Sequence, residues 1–177
     1  MIRVFMIDSS PLCEELFFQT IYNGLSDERR AKVDRIQTDA GKRLSAAAGY
    51  LYDTYHRLGA YYNLSHSGNL AVIAVGDQPV GVDVEGIKKP KEGVLQKCYS
   101  QDEKQAIASD AAFADIRFTA YWTIKESACK RTKEGLAGIL RSEGGLCDDT
   151  LTFQSIIKQV GGEAYVITVA YKMPEQS

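Results

Sequence analysis

The chain lacks any apolar run approaching the roughly 18 residues needed to cross a bilayer. No basic stretch leading into a long apolar segment opens it, so no signal peptide is expected. Its four cysteines, Cys13, Cys98, Cys129 and Cys147, show no C-x-x-C or comparable spacing. That argues against a zinc site and against a disulfide framework. Reduced thiols in a cytoplasm are the simplest expectation. Neither sign of charge dominates: 21 Lys and Arg face 23 Asp and Glu, for a net charge of −2. Such a balance speaks against a general nucleic-acid binder. Only two histidines occur, His56 and His66, and no Ser-His-Asp or Cys-His spacing accompanies either. Internal repeats and low-complexity tracts are also missing.

What is present suits a folded domain. The 177 residues are 45% hydrophobic and 25% charged, enough for one domain or two small halves sharing a core. Arg3 to Ile7 reads as a strand. Ser26 before Asp27 and Glu28 is a helix start, and helical pattern runs on to about Leu58 with a break near Thr38. Ala46, Ala47, Ala48, Leu51 and Tyr55 mark a buried face in its second part, and Gly59 ends it. Strands follow over Tyr61–Leu64, Leu70–Val75 and Val80–Glu85. Gly76-Asp77-Gln78-Pro79 reads as the loop of a hairpin between the last two.

The segment Lys88 to Gly93 is polar, contains Pro90 and reads as a linker. Ser100 precedes a second helix start at Gln101-Asp102-Glu103. A longer helix is expected from about Ala112 to Lys133, with Phe118, Tyr121, Trp122, Ala128 and Cys129 on one stripe and Gly135 ending it. Leu151–Gln159 and Ala164–Tyr171 read as a final hairpin around Gly161-Gly162. The mixed order of elements favours an α+β fold.

Three short stretches carry chemistry. Gly81-Val82-Asp83-Val84-Glu85 places two carboxylates two apart on a strand, hence on one face, with Val82 and Val84 on the other. Paired carboxylates repel unless a cation sits between them, and oxygen donors suit Mg²⁺. The plain alternative is two solvated acids at a strand end. Trp122, Glu126 and Lys130 form one i, i+4 row on the long helix. Its plain alternative is a surface ion pair of little energetic value. Asn63-Leu64-Ser65-His66-Ser67 places an imidazole where it could donate to a phosphate oxygen, or simply cap or pack. Residues 29–43 add six basic side chains, Arg29, Arg30, Lys32, Arg35, Lys42 and Arg43, against Asp34 and Asp39. Such a run is most simply a solvated helix face.

In combination these motifs resemble the 4′-phosphopantetheinyl transferases, of the longer single-chain type that activates peptide and polyketide synthases. That family carries N-x-S-H-S, then G-[IV]-D-[IV]-E, then W-[ST]-x-K-E-[SA]-x-x-K. Here they stand at Asn63 to Ser67, Gly81 to Glu85 and Trp122 to Lys130. The basic helix from Leu25 through Arg43 and the pair Gly135-Leu136 add to the likeness, which covers about residues 25–136. It implies two similar α+β halves related by a pseudo-twofold, residues 1–86 and 87–177, with coenzyme A in the cleft between them. The reaction implied moves the 4′-phosphopantetheine arm from coenzyme A to a serine of an apo acyl or peptidyl carrier protein, with Mg²⁺, releasing 3′,5′-ADP.

By the same resemblance Asp83, Glu85 and Glu126 would hold Mg²⁺. Glu126, Lys130 and His66 would do catalytic work, with Glu126 the base for the incoming serine. Arg29, Lys32, Arg43, Ser65, His66, Lys88 and Lys130 would contact coenzyme A. A cytoplasmic monomer is implied, without nucleic acid or membrane as partner. Relatives usually carry a Gly-Lys-Pro turn that helps hold adenine; here only Arg57 to Tyr62 precedes Asn63. Two other readings follow from the same residues: a degenerate member that binds coenzyme A or carrier protein without turnover, and a Mg²⁺-dependent nuclease.

Overall fold

The computed structural model describes residues 1–133, 135 and 150–173. Leu136 of the Gly135-Leu136 pair and Cys147 lie outside them. In chain order the elements are β1 (Ile2–Asp8), a 3-10 turn (Ser10–Cys13), α1 (Glu15–Gly24), α2 (Asp27–Asp34), α3 (Asp39–Tyr55), β2 (Tyr61–Ser67), β3 (Leu70–Gly76), β4 (Gly81–Gly86), α4 (Glu92–Cys98), α5 (Gln101–Ala108), α6 (Ala114–Thr132), β5 (Leu151–Val160) and β6 (Glu163–Lys172). Two antiparallel three-stranded sheets form, in the orders β1-β3-β2 and β4-β6-β5. Each sheet follows one plan: a first strand, a helical excursion, then a hairpin whose second strand takes the centre. The chain is thus α+β. No helix among the described residues is long and apolar enough to cross a membrane.

The packing follows from strand composition. β3 is buried at every position, because its two faces serve different cores. Ala71, Ile73 and Val75 join Ala46, Ala47 and Leu51 of α3. Leu70, Val72 and Ala74 join Val82, Val84, Ile167 and Val169 of the second sheet. Asp83 and Thr168 share the opposite face of the second sheet, where Thr168 and Thr123 of α6 exchange a 2.7 Å hydrogen bond. The layers therefore run helices, first sheet, second sheet, α6.

Local signals explain the helix ends. The Thr38 hydroxyl accepts from the Gly41 amide at the start of α3, which makes the expected break. Ser100 and Glu103 close a capping box on α5.

Several expectations are corrected. β3 and β4 do not form a hairpin: β3 has a partner on both edges, β1 and β2, so no edge is left for β4. The hairpin is β2–β3 instead, turning at Gly68 and Asn69 between the paired Ser67 and Leu70. Gly81–Gly86, expected to close the first half, hydrogen-bonds to β6 in the second sheet. α4 begins at Glu92, inside the expected linker, and α1 was not anticipated. On α6 the buried set is Phe118, Thr119, Thr123, Lys125, Ser127, Ala128 and Cys129; Trp122 is only half-buried. Lys125 is 0% exposed, with its ammonium 2.9 Å from Glu103. Small polar residues, not an apolar stripe, let α6 lie close on the sheet.

Candidate active site

The site grows from the unpaired edge of β4. β6 takes one edge of β4, which leaves the N–H groups of the other edge seeking acceptors. Side chains of β2 provide them. The Val82 amide donates to Asn63 Oδ1 at 3.0 Å, the Val84 amide to Ser65 Oγ at 3.4 Å and the Gly86 amide to Ser67 Oγ at 3.5 Å. Alternation along β2 puts Asn63, Ser65 and Ser67 on one face, so their spacing of two matches the amides of β4. The same alternation sends His66 to the other face, where it is exposed. His66 therefore faces away from the carboxylates.

Asp83 stands on β4 at 4% exposure. Its Oδ1 accepts from Ser65 Oγ at 2.9 Å and from Lys130 Nζ at 2.6 Å. Lys130 also donates to Ser65 Oγ at 2.9 Å. Asp83 Oδ2 is buried with no hydrogen-bond partner among the described residues. Two residues on, Glu85 Oε2 accepts from Ser67 Oγ at 3.0 Å and from Lys88 Nζ at 2.9 Å.

Gly81 lets α6 come this near. A methyl at that position would lie 2.8 Å from the Arg131 amide nitrogen and nearer still to the Ser127 carbonyl oxygen. α6 then presents Glu126 and Lys130 to β4. Lys130 pairs with Asp83, 47 residues away, rather than with Glu126 on its own helix.

Electrostatics distinguish the acids. Burial pushes the Asp83 carboxyl above its ordinary range, against the pull of Lys130 and of the Ser65 hydrogen bond. Burial, then the charge of Asp83, pushes Glu126 upward, with Lys130 opposing. The field of Glu85 raises both. Three carboxylates thus act on one another through a half-buried space. Among the described residues no group of three His, Cys, Asp or Glu side chains is placed to hold a metal ion.

The basic residues of 29–43 do not gather into one cradle. The Arg29 guanidinium lies 3.7 Å over the Tyr52 ring. Lys32 is exposed and paired with Glu28 at 2.8 Å. Arg43 lines a cavity of about 270 Å³ with Glu15, Asp39 and Lys42. Arg43 and Tyr52 stand nine positions apart on α3, which sets them on opposite faces of the helix. Two further cavities flank the carboxylates. One, of about 580 Å³, is lined by Ser67, Glu85, Lys88, Asp115 and Glu163. The other, of about 320 Å³, is lined by Tyr61, Tyr62, Asn63, Lys130, Arg131 and Lys133. Arg131 and Lys133 escaped the sequence reading, since nothing in their spacing marks them; the alternation of Asn63, Ser65 and Ser67 was the available signal for the β2–β4 joint.

The sequence profile of the 4′-phosphopantetheinyl transferase superfamily matches residues 79–169, half of the chain. The chain belongs to this superfamily. Among its relatives, the 4′-phosphopantetheinyl transferase psf-1 of Bacillus pumilus is 38% identical over 78 residues, covering 44% of this chain and 34% of that protein. The 4′-phosphopantetheinyl transferase Sfp of Bacillus subtilis is 32% identical over 79 residues, covering 44% and 35%. The 4′-phosphopantetheinyl transferase HetI of a Nostoc species is 32% identical over 101 residues, covering 49% and 38%. The chain thus spans little more than a third of the length of these relatives. Within the superfamily match lie Asp83, Glu85, Lys88, Glu126 and Lys130; Ser65 and His66 of β2 precede it.

Proposed function

We propose that the chain transfers the 4′-phosphopantetheine arm of coenzyme A to a serine of an apo acyl or peptidyl carrier protein in the cytoplasm, with Mg²⁺, releasing 3′,5′-ADP. The observation that carries this reading is Asp83. A buried carboxylate with one oxygen fixed by Ser65 and Lys130 and the other unpartnered offers a ligand in want of a cation. Glu85 and Glu126, each electrostatically linked to Asp83, would supply the further oxygen donors. That suits Mg²⁺, which completes its shell with water and substrate phosphate rather than with a protein cage. When bound, the cation would supply charge neutralisation at the pyrophosphate.

The side chains divide the remaining work. Lys130, held by Asp83 and Ser65, sits ready to meet a pyrophosphate oxygen as a point charge. Lys88, on Glu85, flanks the other side. Glu126, with its carboxyl pushed upward, is suited to take the proton of the incoming serine hydroxyl. The serine oxygen forms a bond to the phosphorus that bears the pantetheine arm, the bond to the bridging oxygen breaks, and 3′,5′-ADP departs. The repeated sheet plan supports two halves related by a pseudo-twofold within one monomer, divided between Gly76 and Gly81, with the cleft along the β2–β4 joint.

The test is to incubate the chain with coenzyme A, Mg²⁺ and an apo carrier protein and to weigh the carrier intact. A gain equal to the phosphopantetheine group supports the reading. An unmodified carrier beside a folded chain that binds coenzyme A would identify a binding-only member and overturn it.

A further inference from the structure

The third motif, Trp122 to Lys130, holds a charged residue to which the transfer chemistry gives no work. Lys125 is 0% exposed, and its ammonium lies 2.9 Å from Glu103 Oε1. Two positions from Thr123 and two from Ser127, it stands about 200° around α6 from the face that meets the sheet. It therefore faces α5, not the carboxylates. The pair is enclosed on several sides. Glu103 Oε2 accepts from the Ser100 amide at 2.8 Å, and Lys125 Nζ lies 5.6 Å from the centroid of the Tyr99 ring. Tyr99 stacks on Phe118 at 5.2 Å and donates its hydroxyl to the Phe118 carbonyl at 2.8 Å. The back of α6 is thus gripped at Phe118 and at Lys125, about two turns apart.

Such a pair needs a reason. A buried ion pair contributes little net stability compared with apolar side chains of the same volume, because taking both charges out of water offsets their attraction. What it supplies is discrimination: a slide or turn of α6 that separates Nζ from Oε1 strands two charges. The front of α6 lacks that discrimination. Thr119, Thr123 and Ser127 are small and fully buried, with Gly81 and Thr168 opposite them, so few ridges key into grooves. A smooth front permits small shifts along the sheet. Yet Lys130 meets Asp83 at 2.6 Å, and Glu126 travels with it. We propose that Lys125 and Glu103 are positioning residues for transfer. They lock α6 from behind in the one setting along β4 that delivers Glu126 and Lys130 to Asp83. Both act through α6 rather than on substrate. This role rests on the transfer reading above and adds α5 to the parts that set turnover.

Removing charge from one side and then from both separates positioning from stability. The proteins are the wild type, Lys125→Met, the double variant Lys125→Met with Glu103→Gln, and Leu51→Ala in the other core. Glutamine at 103 keeps an acceptor for the Ser100 amide, so the α5 capping box survives. Lys125→Met alone should melt lower, with one charge stranded. The double variant should regain most of that loss, because no charge remains buried without a partner. Its turnover with saturating coenzyme A, Mg²⁺ and apo carrier protein should still be down about tenfold or more, toward the roughly hundredfold effect of a misplacement of about 1 Å. Leu51→Ala should melt lower and, while folded, turn over within about twofold of the wild type. Hydrogen exchange gives a readout that needs no substrate. The Val84 amide is held by the Ser65 hydroxyl, which Lys130 also engages. In the double variant that amide should exchange faster, while the β6 amides stay as in the wild type.

A double variant with wild-type turnover, or with wild-type exchange at Val84, would overturn the positioning role and leave the pair as packing alone. So would Leu51→Ala losing turnover as far as the double variant, since instability by itself would then suffice. Exchange quickened equally across β4 and β6 would do the same. A folded wild type that modifies no carrier protein would sink the transfer reading instead; Val84 would still report whether the pair holds α6 in place.

Discussion

Replacing Gly81 by alanine is the sharpest test of how the site is assembled. The added methyl would sit 2.8 Å from the Arg131 amide nitrogen and 3.0 Å from its Cβ, where ordinary contact begins at 3.4 Å. The Ser127 carbonyl oxygen is closer still. These obstacles are helix backbone and the root of a side chain, so no flexible tip can swing aside. α6 must retreat by at least the 0.6 Å missing at Arg131. Overpacking of a tight site costs about 1–3 kcal/mol, and backbone on the receiving side puts this case near 3. For a chain of this size that lowers the melting temperature by about 6–12 °C. The same retreat lengthens the 2.6 Å contact of Lys130 with Asp83 and moves Glu126, so transfer should fall about a hundredfold even where the protein stays folded. Gly86→Ala is the control, since its methyl would meet only the Tyr165 ring at 3.8 Å. Melting curves and single-turnover transfer to an apo carrier protein give both quantities. A Gly81→Ala variant that melts with the wild type and transfers within twofold of it would refute the argument from close approach.

Three more outcomes are expected. Glu126→Gln should abolish turnover while coenzyme A still binds, whereas Lys130→Ala should lose about 10²–10³ in turnover, by analogy with a single oxyanion donor, and bind coenzyme A more weakly; a fully active Lys130→Ala separates the residue from the pyrophosphate. Asp83 and Glu126 hold their protons more tightly folded than unfolded, so without metal their contribution to stability is complete at acid pH and is lost as pH rises through their raised values. Since a cation requires both ionised, the rise in melting temperature on adding Mg²⁺ should be larger at pH 7 than at about pH 5, and an Mg²⁺ effect independent of pH would contradict the ligand set. Lys125→Met should cost about 3–5 kcal/mol in urea unfolding, because it strands the Glu103 carboxylate that also caps α5; a loss below about 1 kcal/mol would show that the buried pair is not holding α5 to α6.

Much of this was legible in the chain, and the remainder fails for identifiable reasons. The break at Thr38, the start at Ser100, the long α6 and the closing hairpin each have local chemistry that announces them. α1 does not: none of Glu15–Gly24 is fully buried, and its inward stripe of Phe18, Ile21 and Tyr22, only partly covered by the core, is blurred by the exposed Leu16 and Phe17. The β3–β4 hairpin was a sound reading of Gly76 to Pro79 as a turn, but a turn cannot reveal that both edges of the preceding strand are already taken. The common face of Asp83 and Glu85 follows from strand alternation. The pairing of Lys130 with Asp83 does not, because the spacing along α6 suggests Glu126 and only the closeness allowed by Gly81 decides otherwise. Lys125 reads as one more cation on a polar helix until Glu103 of another helix is placed beside it.

The polar contact along the β2–β4 edge is made of three side chains, not of a main-chain ladder. Its kinetics should differ from those of a sheet. The Val82, Val84 and Gly86 amides are each held by a single rotatable group, and each can be released by a rotamer change without disturbing a strand. In hydrogen exchange these three should therefore trade deuterium faster than the amides of β6 they neighbour. The middle rung is Ser65, which also fixes Asp83 and Lys130. Releasing the Val84 amide and dismantling the charge network are thus one event, and whatever occupies the carboxylates should slow exchange at Val84 most.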